Sequence, residues 1–164
     1  MGDIDGAGQS FEKALSITDN ATVTNNFAAT KHRQSGKSSD EIKSYFENAN
    51  TTESKYNLGL INIEEGKYEE AITLMGESKS FSLALANVLF EKYDIANDIL
   101  DQLSPDDASV NYLRSIIASR LDNIDLMIES LKSAFSIDPN LKNKAKSDRE
   151  FIKHFENADF LAIF

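Results

Sequence analysis

The sequence predicts an all-α fold built from antiparallel helix pairs, and three observations support this prediction. Apolar residues recur at the spacing of one helical face in segment after segment. No segment shows the sustained alternation of a strand or a paired hairpin turn. The two prolines, Pro105 and Pro139, stand at predicted helix boundaries rather than inside helices. With 164 residues, the chain has the length of one domain or one short solenoid.

The first twenty residues predict a single helix that corresponds to the second helix of a pair. Phe11 follows Ala7 by four residues, and Phe11 shares a helical face with Leu15. A second helix with no first helix before it would leave an apolar face uncovered. We therefore expect that residues preceding Met1 in a longer protein were removed. The alternative is that Met1 is the native start and that this helix caps the array.

Residues 21–50 predict the first full pair, which is the least regular in the chain. Its first helix is expected over residues 23–34, followed by a turn at residues 35–39. Ser39 or the residue after it can cap the second helix, whose apolar stripe runs along Asp40–Ala49.

Residues 51–79 contain the clearest pair, with the sequence YNLGLINIEEGKYEEAITLM ending at Met75. Gly59 is small enough to let the two helices approach closely. Gly66 marks the turn, and Ala71 lies four residues before Met75 in the second helix. This segment shows most clearly the pattern that the other pairs repeat.

Residues 80–103 repeat this pattern over a shorter length. Tyr93 and Ala96 correspond to Tyr68 and Ala71, each at an offset of 25 residues. The short offset predicts helices that are shortened by about two turns in total.

Residues 104–140 predict the last pair, in which Ser104 caps the first helix and Asp122-Asn123 make the turn. Residues 141–164 predict a terminal cap, which a helical array needs because its last pair would otherwise expose the face that a neighbour covers. Lys142, Lys144 and Lys146 are expected on a solvated face, and Phe151, Ile152 and Phe155 are expected to cover the end of the stack. A last short helix is expected to start at Asp159 and to hold Phe160, Leu161, Ile163 and Phe164.

The recurring pattern resembles the tetratricopeptide repeat, in which Leu-Gly and an aromatic residue precede Ala-x3-aromatic and a final Pro over about 34 residues. The resemblance covers nearly the whole chain, as a half repeat at 1–20, repeats at 21–50, 51–79, 80–103 and 104–140, and a cap at 141–164. It implies a right-handed superhelical solenoid of antiparallel helix pairs with a C-terminal capping helix, forming a single domain over residues 1–164.

The repeats are most similar to those of bacterial cell-envelope proteins. If an export signal preceded Met1 in a longer protein, the chain would lie in the periplasm or the cell envelope. Without such a signal the sequence leaves the compartment open.

The composition argues against several classes of function. The formal net charge of −10 disfavours nucleic acid, whose binding needs a positive face, and disfavours an anionic membrane surface. The chain has no cysteine, which excludes disulfides and thiolate chemistry. No apolar run approaches the roughly 20 residues of a membrane span, so direct membrane insertion is not expected.

The sequence predicts no catalytic residue, no metal site and no cofactor. His32 and His154 are the only histidines and lie far apart, so no cluster has the spacing of metal ligands. Acidic pairs such as Glu64-Glu65 are interpreted as solvated helix faces. The glycine-rich stretch at residues 2–8 lacks the spacing and the preceding strand of a phosphate-binding loop.

The resemblance implies that the first helix of each repeat lines a concave surface that holds an extended or helical peptide, so that the partner is a protein or a peptide. The residues assigned to this surface are Asn26, Thr30, Arg33, Tyr56, Asn57, Leu60, Ile63, Glu64, Tyr112, Ile116 and Arg120. Phe81, Leu85 and Leu89 also fall on it, but their helix is apolar nearly all round, which favours core packing for these three. A clamp for chaperone C-termini is incomplete, because Ser78 and Ser82 occupy its basic places.

Three functions remain open at this point. The first is a non-catalytic scaffold that binds a peptide or a partner helix in the concave surface. The alternative is a structural spacer or self-association module of a larger cell-envelope protein, in which a homodimer forms through terminal caps and depends on Phe160 and Phe164. A second alternative is a carrier for a small ligand such as a glycan fragment, which Tyr56 and Tyr112 would serve.

Overall fold

The computed structural model of the chain describes residues 3–36 and 38–164. Met1, Gly2 and Lys37 lie outside this range, so the predictions for the chain start and for Lys37 in the predicted turn concern residues that are not described. Within the described residues every regular element is helical and no strand occurs, as the sequence predicts.

The chain forms two compact units, unit 1 (Met1–Glu77) and unit 2 (Ser78–Phe164). The helices of unit 1 are α1 (Ile4–Leu15), α2 (Ala21–Ser35), α3 (Asp40–Ala49), α4 (Thr52–Glu64) and α5 (Tyr68–Met75). Each helix packs on the next one along the chain, and α2 also contacts α4. This is the packing of successive antiparallel pairs in a helical repeat.

Side chains cap the starts of α3 and α4 in unit 1. The Ser39 hydroxyl accepts the backbone N–H of Ile42 at 3.2 Å and starts α3. Thr51 and Ser54 form a reciprocal capping box at the start of α4. Between these helices lies a hydrophobic core of Ala28, Ile42, Phe46, Leu58 and Ile61.

Unit 2 contains two helix pairs followed by short cap helices. Its elements are α6 (Phe81–Leu89), α7 (Tyr93–Leu100), α8 (Ala108–Arg120), α9 (Ile124–Ile137), α10 (Leu141–Ala145), a 3₁₀ helix (Arg149–His154) and α11 (Ala158–Leu161). Helix α8 is central, because it contacts α6, α7, α9 and the 3₁₀ helix. Helix α10 packs on α9.

The cap of unit 2 is held by an aromatic cluster. Phe151 and Phe160 are almost fully buried, and the Phe160 ring lies 5.1 Å from the Phe164 ring. The prediction that Ile152 covers the end of the stack was wrong, because its side chain is 64% exposed. Leu161, in the last short helix, is 56% exposed. Each of the two follows a buried phenylalanine, Phe151 or Phe160, and successive residues of a helix point about 100 to 120° apart, so the next side chain faces away from the cluster.

Three helix pairs turn through the same backbone geometry with different residues. Gly66, Glu91 and Asp122 each adopt a positive φ, of 76°, 60° and 57°. The N–H of the residue after each one donates to a carbonyl five residues earlier, at 2.8 to 2.9 Å. This is the Schellman ending, which glycine adopts without steric strain and other residues do not.

The pair α6–α7 is short, as the offset of 25 residues predicts. Helix α6 has 9 residues against 13 in α8, and α7 has 8 against 14 in α9. At about 1.5 Å per residue, α6 is roughly 6 Å shorter than α8 and α7 is roughly 9 Å shorter than α9.

Candidate functional site

The predicted binding face of unit 1 is joined by a chain of amide side chains. The Asn57 amide on α4 donates to the Asn25 carbonyl oxygen on α2 at 2.9 Å. The Asn25 amide donates to the Asn26 oxygen at 3.1 Å. Asn25 is buried and was missed by the sequence prediction, although its place beside Asn26 on the same helix was a usable signal.

The other predicted residues of α2 lie along the same helix with different exposures. The Thr30 hydroxyl is half-buried and donates to the Asn26 backbone carbonyl at 2.8 Å, so its proton is already engaged. Arg33 is exposed near the end of α2. His32 lies between them, and its Nε2 is 3.5 Å from a carboxylate oxygen of Glu64 on α4.

The apolar residues predicted on α4 remain accessible in part. Tyr56, Leu60 and Ile63 follow at helical spacing and are half-buried. Unit 1 therefore presents a mixed face of amide and apolar side chains, with Glu64 exposed at its end. Which of these residues touch a partner stays a prediction.

A separate ion cluster gathers at the end of α4. The Glu65 carboxylate accepts hydrogen bonds from the ammonium group of Lys43, from Lys67 at 2.8 Å and from the Ser38 hydroxyl at 2.9 Å. These donors, Lys43 first, lower the pKa of Glu65 to about 2. Because Lys43 lies on α3, the cluster ties α3 to α4 and has a structural explanation within unit 1.

A cavity of about 280 Å³ opens in unit 2 among α6, α8 and α10. Its lining residues are Phe81, Leu85, Ser109, Tyr112, Leu113, Ile116, Leu141 and Lys144. Tyr112 and Ile116 were predicted to face a partner, and they do line the cavity. Phe81 and Leu85 were preferred as core residues, but both are only half-buried and form part of the same wall.

Tyr112 lines this cavity but is not a free polar anchor. Its side chain is 3% exposed, and its hydroxyl donates to the Asp148 carboxylate at 2.8 Å. Burial, together with the bond to Asp148, raises the pKa of the Tyr112 phenol above its ordinary value. The sequence reasoning expected a hydroxyl that needs water or a partner, whereas Asp148 satisfies it from within the unit.

Arg120 is also engaged inside unit 2. Its Nε and Nη2 atoms donate to the two carboxylate oxygens of Glu150 at 2.9 and 2.7 Å, and Nη1 donates to the Val88 carbonyl at 2.9 Å. The Glu150 carboxylate raises the pKa of the guanidinium further above its already high value. Arg120 thus joins α8 to α6 and to the 3₁₀ helix. Its side chain is 25% exposed, so only that part is accessible to a partner.

Lys144 is a basic residue that lines the cavity. The sequence placed it on a solvated face. The Lys144 ammonium lies 4.6 Å from the centroid of the Tyr112 ring, which is a cation–π distance. Lys142 and Lys146 lie over the rings of Phe135 and Phe164 in the same way. The alternating lysines predicted exposed side chains. They did not predict contacts with these rings, because the rings are distant from the lysines in the sequence.

The described residues contain no group of three or more metal-ligating side chains that could hold a metal ion. Among them, no helix combines the length and the apolar character that crossing a bilayer would require. His154 is buried in the cap, and its Nε2 atom has no hydrogen-bond partner in the part of the chain that the structure describes. Burial and the nearby Lys153 lower the pKa of His154.

Two segments match a family model described as the tetratricopeptide repeat, residues 52–80 and residues 108–141. The first segment contains α4 and α5, and the second contains α8 and α9. The match thus falls on one helix pair of each unit. No curated protein matches the chain.

Proposed function

This chain contains tetratricopeptide repeats, and we propose that it is a non-catalytic scaffold whose first-helix faces bind a peptide or a helix of a partner protein. Tetratricopeptide repeats are generally protein–protein interaction modules. Such repeats are rigid before they bind, which keeps the ordering cost of binding low.

The cavity in unit 2 is the observation that carries this proposal. Its walls come from α6 and α8, which are the first helices of two successive pairs, and from α10 in the cap. Leu85 and Ile116 keep accessible apolar surface there although α8 is otherwise well buried. Accessible apolar surface around a concavity is typical of an interaction site.

The face of unit 1 supports the same function by a different chemistry. Asn57 is half-buried, and its amide is held by Asn25, so the side chain is fixed in position before any partner arrives. Tyr56 lies beside it with part of its ring accessible. A fixed amide next to an aromatic ring suits the backbone of a bound peptide, which supplies donors and acceptors along its length.

The test is selection of binders from a random twelve-residue peptide display library on the whole chain. We expect enriched peptides to bind at least tenfold more weakly to Leu85→Gln or Ile116→Gln in unit 2, or to Asn57→Ala in unit 1. The matched control is Ile137→Gln, which changes an exposed aliphatic residue on α9, a second helix. Far-UV circular dichroism shows that each variant keeps its helices. Peptides that bind all four variants equally well would contradict the proposal.

Self-association through the cap is a second candidate, and the exposure of Ile152 and Leu161 favours it. Phe160, which the sequence suggested for this contact, is 1% exposed and belongs to the core. Ile152 and Leu161 are the cap residues that offer large apolar surface to another copy.

Light scattering coupled to gel filtration over a wide concentration range tests the second candidate. If the second candidate is right, we expect a dimer at high concentration that is lost in Ile152→Lys and in Leu161→Lys. The control Leu126→Lys replaces an exposed leucine of α9 with the same charge. A monomer at every concentration, or a dimer that survives both cap variants, would exclude this contact.

A further inference from the structure

We propose that the cavity of unit 2 takes one apolar side chain of an extended peptide, and that Lys144 binds a carboxylate two residues along that peptide. This inference rests on the proposed function, because it specifies the chemistry of the bound peptide. Its partner is thus an acidic segment with a large apolar residue, in the pattern apolar-x-acidic or acidic-x-apolar.

The size of the cavity suits a single side chain. A closed apolar cavity of about 150 Å³ is large enough to hold benzene. The cavity of about 280 Å³ in unit 2 accommodates an aromatic or a branched aliphatic group with some room to spare. This volume lies at the low end of the range of ligand pockets, roughly 300 to 1,000 Å³, so one anchor side chain fills much of it.

Lys144, which lines the cavity, has no direct ion-pair partner among the described residues. Two carboxylates of the cap are engaged elsewhere: Asp148 accepts the Tyr112 hydroxyl, and Glu150 accepts Arg120. Asp107 accepts the backbone N–H of Ser109 at the start of α8.

Lys144 is also positioned before a ligand arrives. Its ammonium sits over the Tyr112 ring, and that ring is fixed by the Asp148 carboxylate. The Phe151 ring meets Tyr112 edge-on, with centroids 5.7 Å apart. A cation held over a fixed ring loses less conformational freedom when a carboxylate binds it.

The spacing of two residues follows from the geometry of an extended chain. Successive side chains of an extended peptide point to opposite sides, so the anchor and the residue two positions away share a face. They lie about 7 Å apart, because each residue advances about 3.3 Å. Lys144 lines the cavity, so a carboxylate two residues from the anchor comes within reach of its ammonium group.

The experiment uses a charge swap in the same peptide display selection on the whole chain. Wild-type protein is expected to enrich a large apolar residue with Asp or Glu two positions away, in peptides that bind more weakly as salt rises. Lys144→Glu is expected to enrich the same apolar residue with Lys or Arg instead. Wild-type-selected peptides should bind Lys144→Glu about fivefold or more weakly, as for the loss of an exposed ion pair.

The matched control is Lys132→Glu, which makes the same charge change at an exposed position on α9. It should select the wild-type pattern. If both proteins enrich an apolar anchor with no acidic or basic preference, the role of Lys144 is wrong while the scaffold function stands. If enriched peptides are indifferent to Leu85→Gln and Ile116→Gln, or if nothing is enriched, the cavity is not a peptide site and this inference falls with it.

Discussion

Units 1 and 2 use the same helix-pair plan but engage their predicted binding residues differently. In unit 1, Asn57 pairs with an amide of the neighbouring first helix and remains half-buried at the surface. In unit 2, Tyr112 and Arg120 bond to Asp148 and Glu150 in the cap. A cap therefore recruits polar residues that an internal repeat would leave for a partner.

The difference has a physical cause. The cap of unit 2 docks through buried rings such as Phe151 and Phe160, and the charged hydrogen bonds of Asp148 and Glu150 to α8 add geometric specificity to that docking. As a result, Tyr112 and Arg120 on α8 have their polar groups bonded within the unit. The cavity beside α8 is lined mainly by apolar side chains, and Lys144 is the charged residue that lines it. Unit 1 keeps polar anchors and has a more mixed face.

Among the variants that test this comparison, Arg120→Ala should lower the free energy of unfolding the most. Arg120→Ala removes both guanidinium hydrogen bonds to Glu150 and one of the two donors to the Val88 carbonyl, which keeps the backbone N–H of Glu91 at 3.1 Å. The two charged side chains are 25% and 30% exposed, so solvent screens part of the loss. We expect the free energy of unfolding to fall by about 2 kcal/mol, measured by urea denaturation.

The control for this prediction is Arg114→Ala on the same helix. Arg114 pairs with Asp101 at 2.7 Å, but the Asp101 side chain is 63% exposed. That loss should be at most about 0.5 kcal/mol. Equal losses for the two variants would mean that Arg120 does not anchor the cap.

The three equivalent turns give a second, smaller test. Gly66→Ala in unit 1 should cost about 1 kcal/mol, because alanine is strained at a φ of 76°. A Cβ at Gly66 meets only the Tyr68 hydroxyl at 4.0 Å, so any loss is conformational rather than steric.

The reverse change in unit 2 is Glu91→Gly. It should raise the free energy of unfolding by about 0.5 kcal/mol, since relief of the left-handed strain exceeds the added flexibility of the unfolded chain. Thermal unfolding of both variants is the measurement. A Glu91→Gly protein that is less stable than wild type would show that Glu91 makes a contact that outweighs its backbone strain.

The smallest expected effect is a pH dependence confined to the cap. The pKa of His154 is lowered from 6.5 in the folded chain by burial and by Lys153, against an opposing effect of Asp122. The unfolded chain then binds more protons below about pH 6.5, so the stability present above that pH declines as the pH falls through the folded pKa.

The measurement is the urea midpoint between pH 7.5 and 5.5. His154→Gln should flatten this profile, and His32→Gln separates the contribution of the other histidine. A slope that is unchanged in His154→Gln would place the titration elsewhere.

Local signals in the sequence located much of the helical fold. Ser39 as a cap predicted α3, which the structure bounds as Asp40–Ala49. The offset of 25 residues predicted the short pair α6–α7. Such signals act within one or two helical turns, so a single sequence displays them directly.

The site was less predictable because its contacts are distant in the sequence. Tyr112 and Asp148 are 36 residues apart, and Arg120 and Glu150 are 30 apart. A helical face can be read from periodicity, but the side chain that satisfies a hydroxyl across the fold cannot. Lys144 became a candidate only because the fold places it over the Tyr112 ring.

The length of α6 helps to set the size of the cavity in unit 2. Phe81 is the first residue of α6, yet it lines the cavity with Tyr112, the fifth residue of α8, so α8 begins about one turn earlier. An insertion of three or four residues before Phe81 would extend α6 over that opening. In a repeat array, small insertions and deletions can therefore resize a binding cavity while every side chain that lines it stays the same.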